Sequence, residues 1–181
     1  MCWWIDIWIR RFYKRVERCY MWHDVQAAEV DENKFYRYRY GGGTTCSSAL
    51  KLIAKQFESR FPPHKWNFYV FYFSDGENWG EDNKVFVDTI REQFNPETVN
   101  FVGITQVMAY AYEGSLKQFV DKELAGVQNV KTTAIGPTAP QAGNGFYGNP
   151  LSEEERDAQI KKAIIELLGG VAGKKPALIH D

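Results

Sequence analysis

Cysteine is scarce in this chain and placed where it does little chemistry. Cys2, Cys19 and Cys46 are odd in number and widely spaced. With no Cys-x-x-Cys pair and no Cys/His cluster, a zinc site is not expected. An odd, scattered set is not a secreted disulfide scaffold either, and a cytoplasmic chain is expected. Charge of one sign is lacking too. The 22 basic and 23 acidic residues leave a formal net charge of −1, so nothing electrostatic points to nucleic acid or to an anionic membrane. Long hydrophobic runs are missing. The most apolar stretch, Met1-Cys2-Trp3-Trp4-Ile5-Asp6-Ile7-Trp8-Ile9, is interrupted by Asp6, closed by Arg10-Arg11 and too short to span a bilayer. It has neither a basic leader nor a small-residue cleavage site, so it reads as a packed aromatic helix and not as a signal peptide. The sequence also holds no Gly-Lys-Ser/Thr phosphate loop and no Gly-x-Ser-x-Gly elbow.

What the chain has in quantity is aromatic side chains, 15% of its 181 residues. Core filling is their default use and interface binding the alternative. The length suits one domain with a real core, expected over residues 1–170, with a flexible tail over 171–181. A helix over 4–15 leads to a strand at 18–22, and a short strand at 26–30 returns as a hairpin. Residues 31–35 read as a helical turn or loop, and Gly41-Gly42-Gly43 breaks regular structure. Over 47–61, Ala49, Leu50, Ile53, Phe57 and Phe61 share one helical face, and Pro62-Pro63 ends that helix. The run 66–73 is the strongest strand signal. It is apolar on both faces, as in the centre of a parallel sheet covered by helices on each side. Helices over 84–94 and 115–124, strands over 99–104 and 130–135, and a last helix opened by the capping box Ser152–Glu155 complete an α/β order in three layers.

Two loops carry the candidate chemistry. Gly41-Gly42-Gly43-Thr44-Thr45 precedes the helix at 47–61, and Ser74-Asp75-Gly76-Glu77-Asn78-Trp79-Gly80 follows the strand at 66–73. Ligands of an open parallel sheet bind beyond the carboxyl ends of its strands, so both loops are expected on one rim. Thr44 and Asp75 then offer a hydroxyl and a carboxylate, hard oxygen donors suited to a small divalent cation such as Mg²⁺. Each also has a plainer use, Asp75 in a turn and Thr44 or Thr45 as a helix N-cap. Glu77, Glu81 and Asp82 form an acidic rim beside Asp75, and such runs are mostly solvated. His23 reads as a hydrogen-bonded structural histidine and His64 as a surface residue. Tyr36, Tyr38 and Tyr40 alternate with Arg37 and Arg39. That pattern could stack on nucleic acid, but an extended segment with one packed face is the better reading.

Gly42-Gly43-Thr44 and Ser74-Asp75-Gly76, in that order and at that separation, resemble the von Willebrand factor A (vWA) domain. His23-Asp24-Val25-Gln26-Ala27-Ala28-Glu29-Val30, Ser47-Ser48-Ala49-Leu50, Trp66-Asn67 and Glu77-Asn78-Trp79 narrow the resemblance to the bacterial YeaH/YhbH group, over about residues 10–135. The resemblance implies a three-layer Rossmann-like fold, with a mostly parallel central sheet flanked by helices. It implies a metal-ion-dependent adhesion site (MIDAS) to which Thr44 and Asp75 contribute. Mg²⁺ or Mn²⁺ there would keep an open position for a carboxylate of a protein partner, which makes a binding module and not an enzyme. For the YeaH/YhbH group it further implies a stress-response or sporulation role linked with a PrkA-type serine kinase.

The Asp-x-Ser-x-Ser loop that ends the first vWA strand is absent from the sequence. The expectation is therefore an N-terminally truncated chain that holds its metal weakly. Its first strand would be missing from between the strands near 19–22 and 66–73, leaving sheet edges open to self-association. Two alternatives stay open: an Mg-dependent phosphotransferase or hydrolase using Asp75, and a structural remnant without metal. The phosphotransferase would want Asp-x-Asp, which Ser74-Asp75-Gly76-Glu77-Asn78 does not supply.

Overall fold

The aromatic run after Trp66 becomes the strand that organises the molecule. In the computed structural model, which describes residues 1–37, 45–108, 115–137 and 151–169, that strand is β3 (Tyr69–Ser74). It pairs in parallel with β4 (Phe101–Val107), which pairs in parallel with β5 (Val130–Ile135). Tyr69 lies opposite Phe101, and Ser74 opposite Gln106. Side chains alternate along each strand. Val70, Tyr72, Val102 and Ile104 turn to one face, under α3 (Ser47–Ser59), α4 (Gly80–Gln93) and α5 (Ser115–Glu123). Leu50, Phe86, Ile90, Phe94 and Leu116 close that larger core. Tyr69, Phe71, Phe73 and Phe101 turn to the other face, against Ile5 of α1 (Cys2–Phe12) and Leu167 of α6 (Glu153–Leu168). The result is the mixed α/β arrangement expected, a parallel sheet with helices on both sides. α6 starts at the expected capping box: Glu155 N–H donates to Ser152 Oγ at 3.2 Å, and Ser152 N–H to Glu155 Oε2 at 2.9 Å.

A separate antiparallel hairpin joins β1 (Tyr20–His23) to β2 (Ala27–Val30), with Tyr20 opposite Val30. Its turn is fixed by Asp24, whose Oδ1 accepts the Gln26 N–H at 2.9 Å. α2 (Glu32–Arg37) follows. Tyr36 and Arg37 therefore end a helix and are not extended. The reason is packing: Phe35 and Tyr36 set their rings 5.0 and 5.9 Å from Tyr20. Tyr38, Arg39 and Tyr40 lie outside the described residues, as does the expected tail at 171–181.

β4, buried from Phe101 to Gln106, is the central strand of the described sheet, and β3 is an edge, on the side where the sequence leads to the expectation of a missing strand. Beyond that edge lies a cavity of about 920 Å³, walled by Ile5 and Ile9 of α1, Ala49 and Ile53 of α3, Val70 of β3 and Met21 of β1. α4 begins at Gly80 and not at Lys84. The Trp79 carbonyl accepts the N–H groups of Asp82 and Asn83 at 2.8 and 3.3 Å. Glu81 and Asp82 also put negative charge on the first turn, where the helix dipole favours it. No helix among the described residues is long and apolar enough to cross a membrane.

Candidate functional site

β3 delivers Ser74 to the carboxyl rim of the sheet, and the chain then turns through Asp75-Gly76-Glu77. Asp75 is exposed. Its Oδ1 accepts the Glu77 N–H at 2.9 Å and lies 3.4 Å from Ser74 Oγ, which itself accepts the Gly76 N–H at 3.1 Å. One carboxylate oxygen thus builds the turn, and the turn leaves the second without a hydrogen bond among the described residues. Gly76 has φ of +85°, and a Cβ there would stand 2.5 Å from Gln106 Oε1. Gln106 is 2% exposed, and neither atom of its carboxamide has a partner among the described residues. The turn carrying Asp75 therefore rests on a buried, unpaired amide.

The second half of the loop has a different job. Asn78 Oδ1 accepts the Cys46 N–H at 3.1 Å, and the Asp82 carboxylate accepts both the N–H and the hydroxyl of Ser47. Free N–H groups at a helix start need such partners, and here they come from the loop before α4 and from its first turn. Asp82 is consequently not part of a solvated acidic rim, whereas Glu77 and Glu81 are exposed as expected. His64 is also exposed.

His23, at the end of β1, stacks on Tyr72 with ring centroids 5.2 Å apart and planes 17° apart. His23 Nδ1 and Tyr72 Oη are both buried, with the Asp24 backbone beside the imidazole and Cys46 and Ser74 beside the phenol as polar neighbours. His23 is thus held by ring stacking, with the Asp24 backbone as a hydrogen-bond partner of its ring. Burial pulls its pKa below the ordinary 6.5, against the opposing carboxylates of Asp24, Asp75 and Asp82. Burial raises Tyr72 well above the usual phenol value, with the Cys46 thiol adding to it, and pushes Cys46 up to about 11.

Thr44, the other expected metal ligand, lies outside the described residues. Thr45 follows it, and its N–H donates to the Asp24 carbonyl at 2.9 Å, which sets the start of α3 beside the hairpin turn. No group of three His, Cys, Asp or Glu side chains capable of holding a metal occurs among the described residues. The donors that are described at the loop, a carboxylate and the Ser74 hydroxyl, are of the hard oxygen type that Mg²⁺ takes, though too few for a cage. Sequence reasoning missed Gln106, the His23–Tyr72 stack and the Asp82 clamp. Only the polar Gln106 closing an apolar strand left a trace in the pattern.

Residues 2–139 match a family model described as "Protein of unknown function (DUF444)". Among curated relatives, the chain is similar to the UPF0229 protein of Pseudomonas paraeruginosa, at 35% identity over 137 residues, 72% of this chain and 32% of the relative. The UPF0229 protein of Azotobacter vinelandii is 34% identical over 137 residues, with the same coverage of 72% and 32%. That of Pseudomonas putida is 37% identical over 113 residues, 59% of this chain and 27% of the relative. The chain spans about a third of the length of the curated relatives it matches most fully. No solved structure matches.

Proposed function

We propose, for a chain that belongs to the DUF444 family of YeaH/YhbH (UPF0229) proteins, a divalent-cation-dependent protein-binding function of the vWA kind. The observation that carries it is Asp75. It stands at the carboxyl end of a parallel strand with Oδ1 committed to the turn and Oδ2 without a hydrogen bond among the described residues. Asp75 and Thr44 would hold Mg²⁺ or Mn²⁺, and the cation would supply an open position for a carboxylate of a protein partner. A stress-response or sporulation role in the cytoplasm, linked with a PrkA-type serine kinase, is part of the same proposal and rests on the resemblance.

Binding is favoured over catalysis by the state of the nearby nucleophiles. The Ser47 hydroxyl is engaged by Asp82, and the Cys46 thiol is buried and protonated at neutral pH. Neither stands as an activated nucleophile beside a base. Titration calorimetry with MgCl₂ and MnCl₂ on the wild type and on Asp75→Asn tests the reading. The asparagine keeps an oxygen for the Glu77 N–H and loses only the charge. Weak binding that disappears in Asp75→Asn, at unchanged melting temperature, is the expected result. Binding that ignores the substitution would sink the assignment.

A further inference from the structure

Among the described residues, Gln106 alone has a side-chain amide with neither its oxygen nor its nitrogen partnered, and it is 2% exposed. A buried amide in that state costs stability and calls for a use. Its neighbours do not supply one. Gln106 follows Val102 and Ile104 on one face of β4 and lies opposite Ser74 of β3. On the other face the buried hydroxyls serve each other, with Thr133 Oγ1 3.3 Å from Thr105 Oγ1. Asn129 also has an unpaired oxygen, but its nitrogen donates to the Phe94 and Val99 carbonyls and so has a structural task. The backbone of the Asp75 turn is engaged as well. The Gly76 N–H goes to Ser74 Oγ, the Glu77 N–H goes to Asp75 Oδ1, and the Gly76 carbonyl accepts the Leu116 N–H at 3.2 Å. Yet the carboxamide is pressed against that turn. A Cβ on Gly76 would stand 2.5 Å from its Oε1 and 2.6 Å from its Cδ. The unpaired amide therefore abuts the residue that follows Asp75.

We propose that Gln106 belongs to the cation site at Asp75, as a hydrogen-bonding residue behind the direct donors. The proposal rests on the cation reading of Asp75 and adds a residue to it. Asp75 and Ser74 offer one carboxylate and one hydroxyl, and Mg²⁺ held by so few donors keeps several of its waters. Those waters are strong hydrogen-bond donors and need acceptors. Gln106 Oε1 is an uncharged acceptor that no other described group uses. Outer groups of this kind orient what the metal binds and raise its affinity without touching the metal. An amide also suits a buried position better than a carboxylate does, because it leaves no buried charge when the cation is away.

The test titrates MnCl₂ into the whole chain and into its Gln106→Met, Gln106→Glu and Asp75→Asn variants. Binding is read from the loss of the free-ion electron paramagnetic resonance signal. Urea midpoints of the same proteins are taken in EDTA. Methionine keeps the length of the side chain and removes both polar atoms, and glutamate keeps an acceptor oxygen. Gln106→Met is expected to bind Mn²⁺ about 10–100-fold more weakly than the wild type, with a urea midpoint in EDTA that is no lower. Gln106→Glu is expected to recover the binding and to lose stability in EDTA, where it buries a carboxyl group. An amide that only packs the turn would give the opposite pattern, with Mn²⁺ affinity following the urea midpoint. Equal binding by the wild type and Gln106→Met overturns the proposal, and if Asp75→Asn still loses binding, the cation reading stands without it. A Gln106→Met protein less stable than the wild type in EDTA also overturns it, because the amide would then be at work without the cation. If the wild type binds no Mn²⁺, the cation reading and the proposal fall together.

Discussion

Asp82 holds Ser47 with both carboxylate oxygens: Oδ2 accepts the backbone N–H at 2.9 Å, and Oδ1 accepts the hydroxyl at 2.5 Å. The first turn of α4 thereby caps the first turn of α3. Ser47 is fully buried, so neither polar group can turn to water if the carboxylate is removed. Asp82→Ala is expected to cost about 3 kcal/mol, the loss of two charge-assisted bonds to buried donors. Asp82→Asn, which keeps an acceptor oxygen, should cost about half as much. Urea denaturation of both variants measures this. An alanine variant as stable as wild type would mean that the clamp contributes nothing.

Gly76 is set by two independent constraints. Its φ of +85° is one that side chains adopt at a cost of about 1 kcal/mol. A Cβ would also meet Gln106 Oε1 at 2.5 Å, and Gln106 is too buried to step aside freely. Gly76→Ala is expected to destabilise by about 2–3 kcal/mol in the wild type. In a Gln106→Ala background only the backbone part, about 1 kcal/mol, should remain. Equal costs in the two backgrounds would show that the contact with Gln106 is not part of the constraint.

These contacts show where the sequence could be read and where it could not. The strand 66–73 was visible because apolar residues on both faces leave few other structures open. The same signal cannot say which neighbours a strand has. β4 therefore came out at the centre and β3 at an edge, beside a cavity on the side where a strand was expected to be missing. Asp75 was legible because loop, glycine and strand end coincide in sequence. Asp82 was misread as a rim residue because its partner lies 35 positions away, and pairing across that distance leaves no periodic trace. The start of α4 was placed late for a related reason: its acidic first turn reads as loop until Trp79 is seen to take the first N–H groups. The ring stack of His23 on Tyr72 depends on how β1 and β3 approach each other, which local pattern does not encode.

Cys46 offers a check on the start of α3. It is fully buried, its N–H is held by Asn78, and burial pushes its thiol up to about 11. Thiolate is the reactive form, so the folded protein should protect this residue twice over. With iodoacetamide at pH 8, Cys46 is expected to remain unmodified while the half-buried Cys2 and Cys19 are alkylated, and to react only in denaturant. Peptide mass spectrometry reads each site. Labelling of Cys46 at the rate of Cys19 in the native state would show that the α3 start is open.

His23 gives the chain a pH response with a definite sign. Burial depresses its folded pKa below the ordinary 6.5, and Asp24, Asp75 and Asp82 oppose that without reversing it. A base with a depressed folded pKa binds its proton first in the unfolded chain. Its contribution to stability is therefore whole above about pH 6.5 and drains as pH falls from there through the folded pKa. The Tyr72 face would attract an imidazolium, which softens the loss without removing the desolvation that causes it. Between pH 7.5 and 5.5 most carboxylates stay ionised, so the histidines dominate the proton balance. The urea midpoint is expected to fall across that range in the wild type and to fall less in His23→Phe. A His23→Phe protein as pH-sensitive as the wild type would place the titrating group elsewhere.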